Sequence, residues 1–287
     1  SHLLTQYCDG LRGPIVIYDP EDPFLSFYDV DDENTIISLT DWYHDTAPSM
    51  VISPSIGLFP TPSSTLINGL GRTLDGNATP LAIINVVQSK RYRFRLISMA
   101  CDANHIFSID EHDMTIIEVD GVNHEPLTVD SIHIFAGQRY SVVVTANQPV
   151  TNYWVRAEPN IGPTTFRGGL NSAILHYKGA GMADPETVST LSTPLDETDL
   201  HPLDSPGAPG GSDPADISYY LDIQFVRDKD VYTINNATFT PPTVPVLLQI
   251  LSGAQSATEL LPEGSVYVIP PNKTVEVIVP GIVAGSS

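Results

Sequence analysis

Residues Arg91-Tyr92-Arg93-Phe94-Arg95-Leu96 alternate strictly between an arginine and an apolar side chain. A period of two belongs to a β-strand, whose successive side chains point to opposite faces; a helix would scatter the arginines around its axis. The run is read as a half-buried strand, with Tyr92, Phe94 and Leu96 towards a core and the arginines outward. Similar short stretches recur at Thr35 to Trp42, Leu81 to Val87, Ile106 to Ile109, Thr115 to Val119, Ser131 to Phe135, Tyr140 to Thr145, Tyr153 to Ala157 and Ala173 to Tyr177. Ile15 to Tyr18 reads as another. Turn chemistry, not helical periodicity, separates them, as at Asn68-Gly69 and Asp75-Gly76-Asn77. The expected class is all-β, a sandwich or barrel of Greek-key type.

At 287 residues the chain has room for one large or two ordinary domains. Asp19-Pro20-Glu21-Asp22-Pro23 is a turn-rich break. Residues 179–216 are rich in Pro, Gly, Ser, Thr and Asp without periodicity, so a linker is expected there. Strands resume at Ile217 to Val226, Val231 to Ile234, Ser265 to Ile269 and Thr274 to Val279. The abrupt start at Ser1 and the stop soon after a strand read as the edges of a fragment.

Charge narrows the partners. Thirty-four acidic residues against 13 basic ones give a formal charge of −21. Such a field repels phosphate backbones and anionic membrane surfaces. It also suits work in acid, where carboxylates retain part of their charge. No apolar run is long enough to span a membrane. Three Asn-x-Thr sequons, at Asn77, Asn236 and Asn272, lean with the acidity towards secretion and glycosylation. Cys8 and Cys101 are either two buried thiols or one disulfide, and the secretory signs favour the disulfide.

Reactive motifs are scarce. The eight histidines form no i, i+2 pair on a strand and no His-Glu-x-x-His helix motif, so no complete metal site is legible. Cys101, His105 and Met114 supply part of a blue-copper ligand set, but a second histidine at suitable spacing is missing. No nucleophile elbow, dinucleotide loop or phosphate loop occurs.

One stretch says more. Ser-His-Leu-Leu-Thr-Gln-Tyr-Cys-Asp-Gly-Leu-Arg-Gly-Pro, from Ser1 to Pro14, resembles the second copper-binding segment of fungal laccases, the multicopper oxidases of wood-decay fungi. Thr40-Asp41-Trp42-Tyr43-His44, Leu66 to Arg72, Lys90 to Leu96, Ile117 to Gly121 and Phe239 to Gln255 resemble the same family, so the likeness runs along essentially the whole chain.

The resemblance implies cupredoxin-like Greek-key β-sandwich domains, one complete and flanked by partial ones. Residues 1–22 would be the tail of the first, 23–195 the second and 196–287 the front of the third. It implies copper, four ions in a complete enzyme, in segments of which this chain retains only His2, matching a type 3 copper ligand. One imidazole cannot fix a copper, so the chain by itself is expected to hold none and to lack oxidase activity.

On the substrate side, Asp102 matches the carboxylate that hydrogen-bonds a phenol hydroxyl, and Phe59, Phe166 and Phe239 match apolar walls of the phenol pocket. A Cys8–Cys101 disulfide would fix the backbone carrying Asp102. The implied whole is a secreted, monomeric laccase of lignin degradation. It would oxidise phenols and aromatic amines by single electrons and reduce O2 to water, without nucleic-acid or membrane partners. A ferroxidase-type multicopper oxidase and a non-catalytic cupredoxin-like module are the alternatives.

Overall fold

The computed structural model describes residues 3, 5–50, 60–74, 79–205, 207, 209–229, 231–261 and 264–281. They fall into two compact units, one taking in the described residues up to 205 and the other those after it.

The first unit holds eleven strands: β1 (Ile36–Trp42), β2 (Ser64–Ile67), β3 (Ile83–Val86), β4 (Arg91–Ser98), β5 (His105–Ile109), β6 (Met114–Val119), β7 (Val122–Val129), β8 (Ser131–Ile134), β9 (Arg139–Thr145), β10 (Asn152–Pro159) and β11 (Ser172–Tyr177). They form a six-stranded sheet in the order β2-β1-β4-β9-β6-β7 and a five-stranded sheet in the order β3-β11-β10-β5-β8. All neighbours are antiparallel except β1 with β4 and β3 with β11. Alternate residues of both sheets meet in one core that includes Phe94, Leu96, Phe107, Ile116, Val142, Tyr153 and Tyr177. The buried tyrosines each find a partner for the hydroxyl, Tyr140 donating to Glu197, Tyr153 to the Pro149 carbonyl and Tyr177 bonding His112 Nε2.

The alternation of β4 appears as expected on its apolar face, where Tyr92, Phe94 and Leu96 are buried. Its arginine face differs from the half-buried expectation. Each arginine pairs with an acid from the preceding stretch: Arg91 with Asp29 at 2.9 Å, Arg93 with Asp22 at 2.6 Å and Arg95 with Asp31 at 2.6 Å. Phe24 from the same stretch packs with Ile117 and Val143 in a second small core. A register shift between Ile116 and Glu118 lets Ile116 enter the main core and Ile117 the small one.

Several boundaries differ from the sequence reading. Ile15 to Tyr18 joins no ladder; Ile15 and Ile17 are exposed, and Tyr18 lies against the Arg95 guanidinium. Strand β7 was not expected, although the Asp120-Gly121 turn, with φ of 51° and 83°, is the left-handed pair of a two-residue hairpin. The expected linker is wrong over 179–205, which wraps the first unit. Leu195 and Leu200 pack on its core, Asp184 pairs with Arg72 at 2.6 Å, and Thr187 donates to Asp110. Its polar side chains satisfy buried groups of the sandwich, a role that composition does not reveal.

In the second unit β12 (Ile217–Tyr220) and β13 (Ile223–Val226) are two strands where one was expected. They are followed by β14 (Val231–Ile234), α1 (Val246–Leu251), α2 (Ala257–Leu260) and β15 (Val275–Ile278), with β12 parallel to β15 and β13 antiparallel to β14. Ser265 to Ile269 forms no strand. The two short helices were not anticipated, because a six-residue and a four-residue turn leave no periodicity to read.

Candidate functional site

The turn between β4 and β5 is the most elaborately held surface feature of the first unit. Cys101 is bonded to Cys8, across a separation of 93 residues and with the Cα atoms 5.0 Å apart, inside the ordinary disulfide range. The open choice between thiols and a disulfide is thereby settled, and the partial blue-copper set loses its thiolate. Asp41 near the end of β1 also accepts three successive backbone N–H groups, those of Cys101 at 2.9 Å, Asp102 at 2.9 Å and Ala103 at 3.4 Å.

Asp41 is 2% exposed, and a buried carboxylate needs compensation. The N–H groups supply part of it. Arg12 adds a guanidinium 3.7 Å away and also donates to the Met99 carbonyl, while the Tyr43 hydroxyl donates to Asp41 at 3.2 Å. Burial, then the charges of Asp41 and Asp102, push the Tyr43 phenol well above its ordinary range, so it stays protonated and keeps donating. Downstream, Asn104 and Asn160 bond reciprocally and His133 Nε2 bonds the Asn104 amide oxygen at 2.8 Å. Asp102 itself faces solvent. A rigid backbone thus presents one exposed carboxylate.

His105 opens β5 three residues later. It is fully buried and neither ring nitrogen has a hydrogen-bond partner. Burial pushes its pKa down to about 4, with the charge of Asp41 pulling the other way. The fold therefore favours the neutral ring. The stability this confers is complete above the unfolded pKa near ~6.5 and is lost as pH falls towards the folded one, since in that window the unfolded chain binds a proton the folded chain refuses. His105→Leu should remove on the order of 3 kcal/mol of acid sensitivity between about pH 7 and 4, read from urea midpoints of parent and variant. An unchanged pH slope would exclude this ring as its source.

Phe166 lies in a loop whose shape is fixed by Asn171. That buried side chain donates to the carbonyls of Pro163 at 2.6 Å and Thr165 at 3.2 Å and accepts from the Thr65 N–H at 3.0 Å. At Gly169, with φ +78°, a Cβ would be strained and would fall 2.6 Å from Arg72 Nη1 and 2.9 Å from Leu81, so both side-chain ends would have to shift. Half-buried Phe166 sets its ring 4.8 Å from the Arg156 guanidinium, which in turn forms a bidentate pair with Asp110.

Asp102 is thus tied to β1 through Asp41 and Phe166 to β10 through Arg156, by separate contacts. Phe239 is exposed in the second unit. His2, Phe59 and Asn77 lie outside the described residues. Asn236 and Asn272 are exposed turn residues with φ of 67° and 58°.

Sequence reasoning quoted Asp41 and Arg12 inside motifs without giving either a role. The available signal was an acid within the apolar, β-branched run from Thr35 to Trp42, a position that demands partners. Among the described residues no group of three or more His, Cys, Asp or Glu side chains is placed to hold a metal ion. Those residues do not fit a copper centre.

A family model described as multicopper oxidase matches residues 33–180. Laccase-2 of Pleurotus ostreatus is 58% identical over 287 residues, covering 99% of this chain and 53% of the relative. Laccase-4 of Trametes villosa is 58% identical, covering 98% of this chain and 53% of the relative. The chain therefore spans about half the length of the curated relatives it matches. Among solved structures, the laccase from Botrytis aclada aligns with a TM-score of 0.57 at 26% identity, covering 70% of this chain and 39% of that one. Fet3p, a multicopper oxidase that functions in iron import, aligns with a TM-score of 0.63 at 24% identity over 80% of this chain and 43% of that one, a likeness of fold. A family match across the eleven-stranded unit, and sequence identity well beyond fold similarity, place this chain in the multicopper oxidase family, whose cofactor is copper.

Proposed function

We propose that this chain is the phenol-facing part of a laccase, divided as 1–22, 23–195 and 196–287 into the tail of one cupredoxin domain, a complete second and the front of a third. In the whole protein, four phenols or aromatic amines each give up one electron and one proton, and O2 takes up four of each to form two waters. Copper would supply the electron path in the whole protein, with His2 as the one ligand that the family resemblance leaves in this chain. The protein is read as a secreted monomer with small aromatic partners. The disulfide and the exposed sequons Asn236 and Asn272 support the secretory part of that reading.

The observation that carries the proposal is the exposed Asp102 carboxylate on a turn held by a disulfide and by Asp41. Removing an electron from a phenol makes its O–H strongly acidic, so a fixed carboxylate within hydrogen-bond reach accepts that proton as the electron leaves. Phe166, half-buried in the same unit as Asp102, would give the ring an apolar wall.

In the whole enzyme, Asp102→Asn should lower phenol kcat/KM by about a hundredfold, within the range for losing a general base. The drop should be measured relative to a neutral ferrocene, which gives an electron and no proton. Equal phenol-to-ferrocene ratios in parent and variant across acidic pH would refute the assignment, and preferential turnover of iron(II) would favour a ferroxidase.

A further inference from the structure

We propose that Asp41 is a positioning residue for phenol oxidation: its buried carboxylate, ion-paired with Arg12, fixes the turn that aims Asp102. The inference rests on the reading of Asp102 as proton acceptor. Three consecutive N–H groups converging on one carboxylate form a rigid cradle, and the central one belongs to Asp102 itself. A carboxylate makes such a cradle because both oxygens only accept. An amide in its place would turn an NH2 towards one of the N–H donors.

Four charged or titratable neighbours of Asp41 fit this role. Arg12 offsets its charge at 3.7 Å, and the Tyr43 hydroxyl donates to it. His105 feels its field but makes no hydrogen bond. Asp102 meets Asp41 through its backbone N–H, leaving its own carboxylate to the solvent. The disulfide alone cannot do this work, since it anchors Cys101 and leaves rotation at the next residue free. Displacing a proton acceptor by an ångström is enough to cost a large rate factor.

The test uses the whole copper-loaded enzyme and two donors, a simple phenol and a neutral ferrocene, each followed across acidic pH. Asp41→Asn should lower phenol kcat/KM about tenfold to a hundredfold relative to the ferrocene value and displace the acidic limb of the phenol profile. A merely structural role would depress both donors alike; that result, or no change in either, overturns the proposal.

Asp102→Asn, assayed in parallel, separates the two readings. If it lowers the phenol-to-ferrocene ratio while Asp41→Asn does not, the positioning role falls and the proton acceptor stands. If Asp102→Asn leaves the ratio unchanged, the acceptor itself falls. Should Asp41→Asn fail to fold, Arg12→Gln takes its place; it leaves the cradle uncompensated and should lower the same ratio, and an unchanged ratio overturns the proposal.

Discussion

Replacing Asp110 by Ala should destabilise the first unit by about 3–5 kcal/mol, the cost of leaving a buried charge without its partner. Asp110 has no exposed side-chain surface and accepts from Arg156 Nε at 2.7 Å, Arg156 Nη2 at 2.8 Å and the Thr187 hydroxyl at 2.8 Å. Cutting the side chain back to a methyl group strands the guanidinium between β10 and the 187 segment with no anion.

The double variant Asp110→Leu with Arg156→Met should recover most of that loss, because an apolar pair of similar size avoids desolvating two charges. Urea unfolding of the parent, the single variants Asp110→Leu and Arg156→Met and the double variant, followed by tryptophan fluorescence, measures the coupling. A double variant as unstable as the single one would mean that the pair is held for packing rather than charge. The variant also reports on function, since Arg156 is the platform for the Phe166 ring. Losing the guanidinium should loosen that ring and raise phenol KM in the whole enzyme more than it lowers kcat.

Removal of the disulfide should have an effect of similar size. The Cys8→Ser, Cys101→Ser pair releases a loop of 93 residues in the unfolded chain. On the chain-entropy model this costs roughly 4–5 kcal/mol, and native disulfides removed from other proteins cost about 2–5. The turn at Asp102 keeps its three N–H bonds to Asp41 in the variant, so stability should fall well before phenol turnover does. Matching urea titrations with steady-state assays on the same preparations tests the order of these losses. Turnover lost at full stability would make the disulfide, not Asp41, the part that aims Asp102.

What the sequence made legible follows from how local each signal is. The period-two run at Arg91 to Leu96 states a strand by itself, and its apolar face is the core face observed. The fate of its arginines depended on Asp22, Asp29 and Asp31, which lie more than sixty residues earlier, and no local pattern encodes such pairings. The 179–205 stretch misled for a related reason. Pro, Ser and Thr look alike in a free linker and in a strap whose hydroxyls and carboxylates serve Asp110 and Tyr140.

At the candidate site, Asp102, Phe166 and Phe239 were named only through family resemblance. The cradle around Asp41 was named by neither route, because it exists only when the end of β1 meets the turn after β4.

The two parallel pairings of the first unit have a kinetic consequence. Strand β1 must wait for β4 before its second edge is covered, and β3 must wait for β11, about ninety residues later. Neither can close through a hairpin, so the chain must complete long loops before either contact stabilises it, the feature that slows folding of β-rich domains. During synthesis the edge of β3 therefore stays open until β11 has emerged. The window for misassembly is set by the translation of roughly ninety residues, at about 5–20 residues per second.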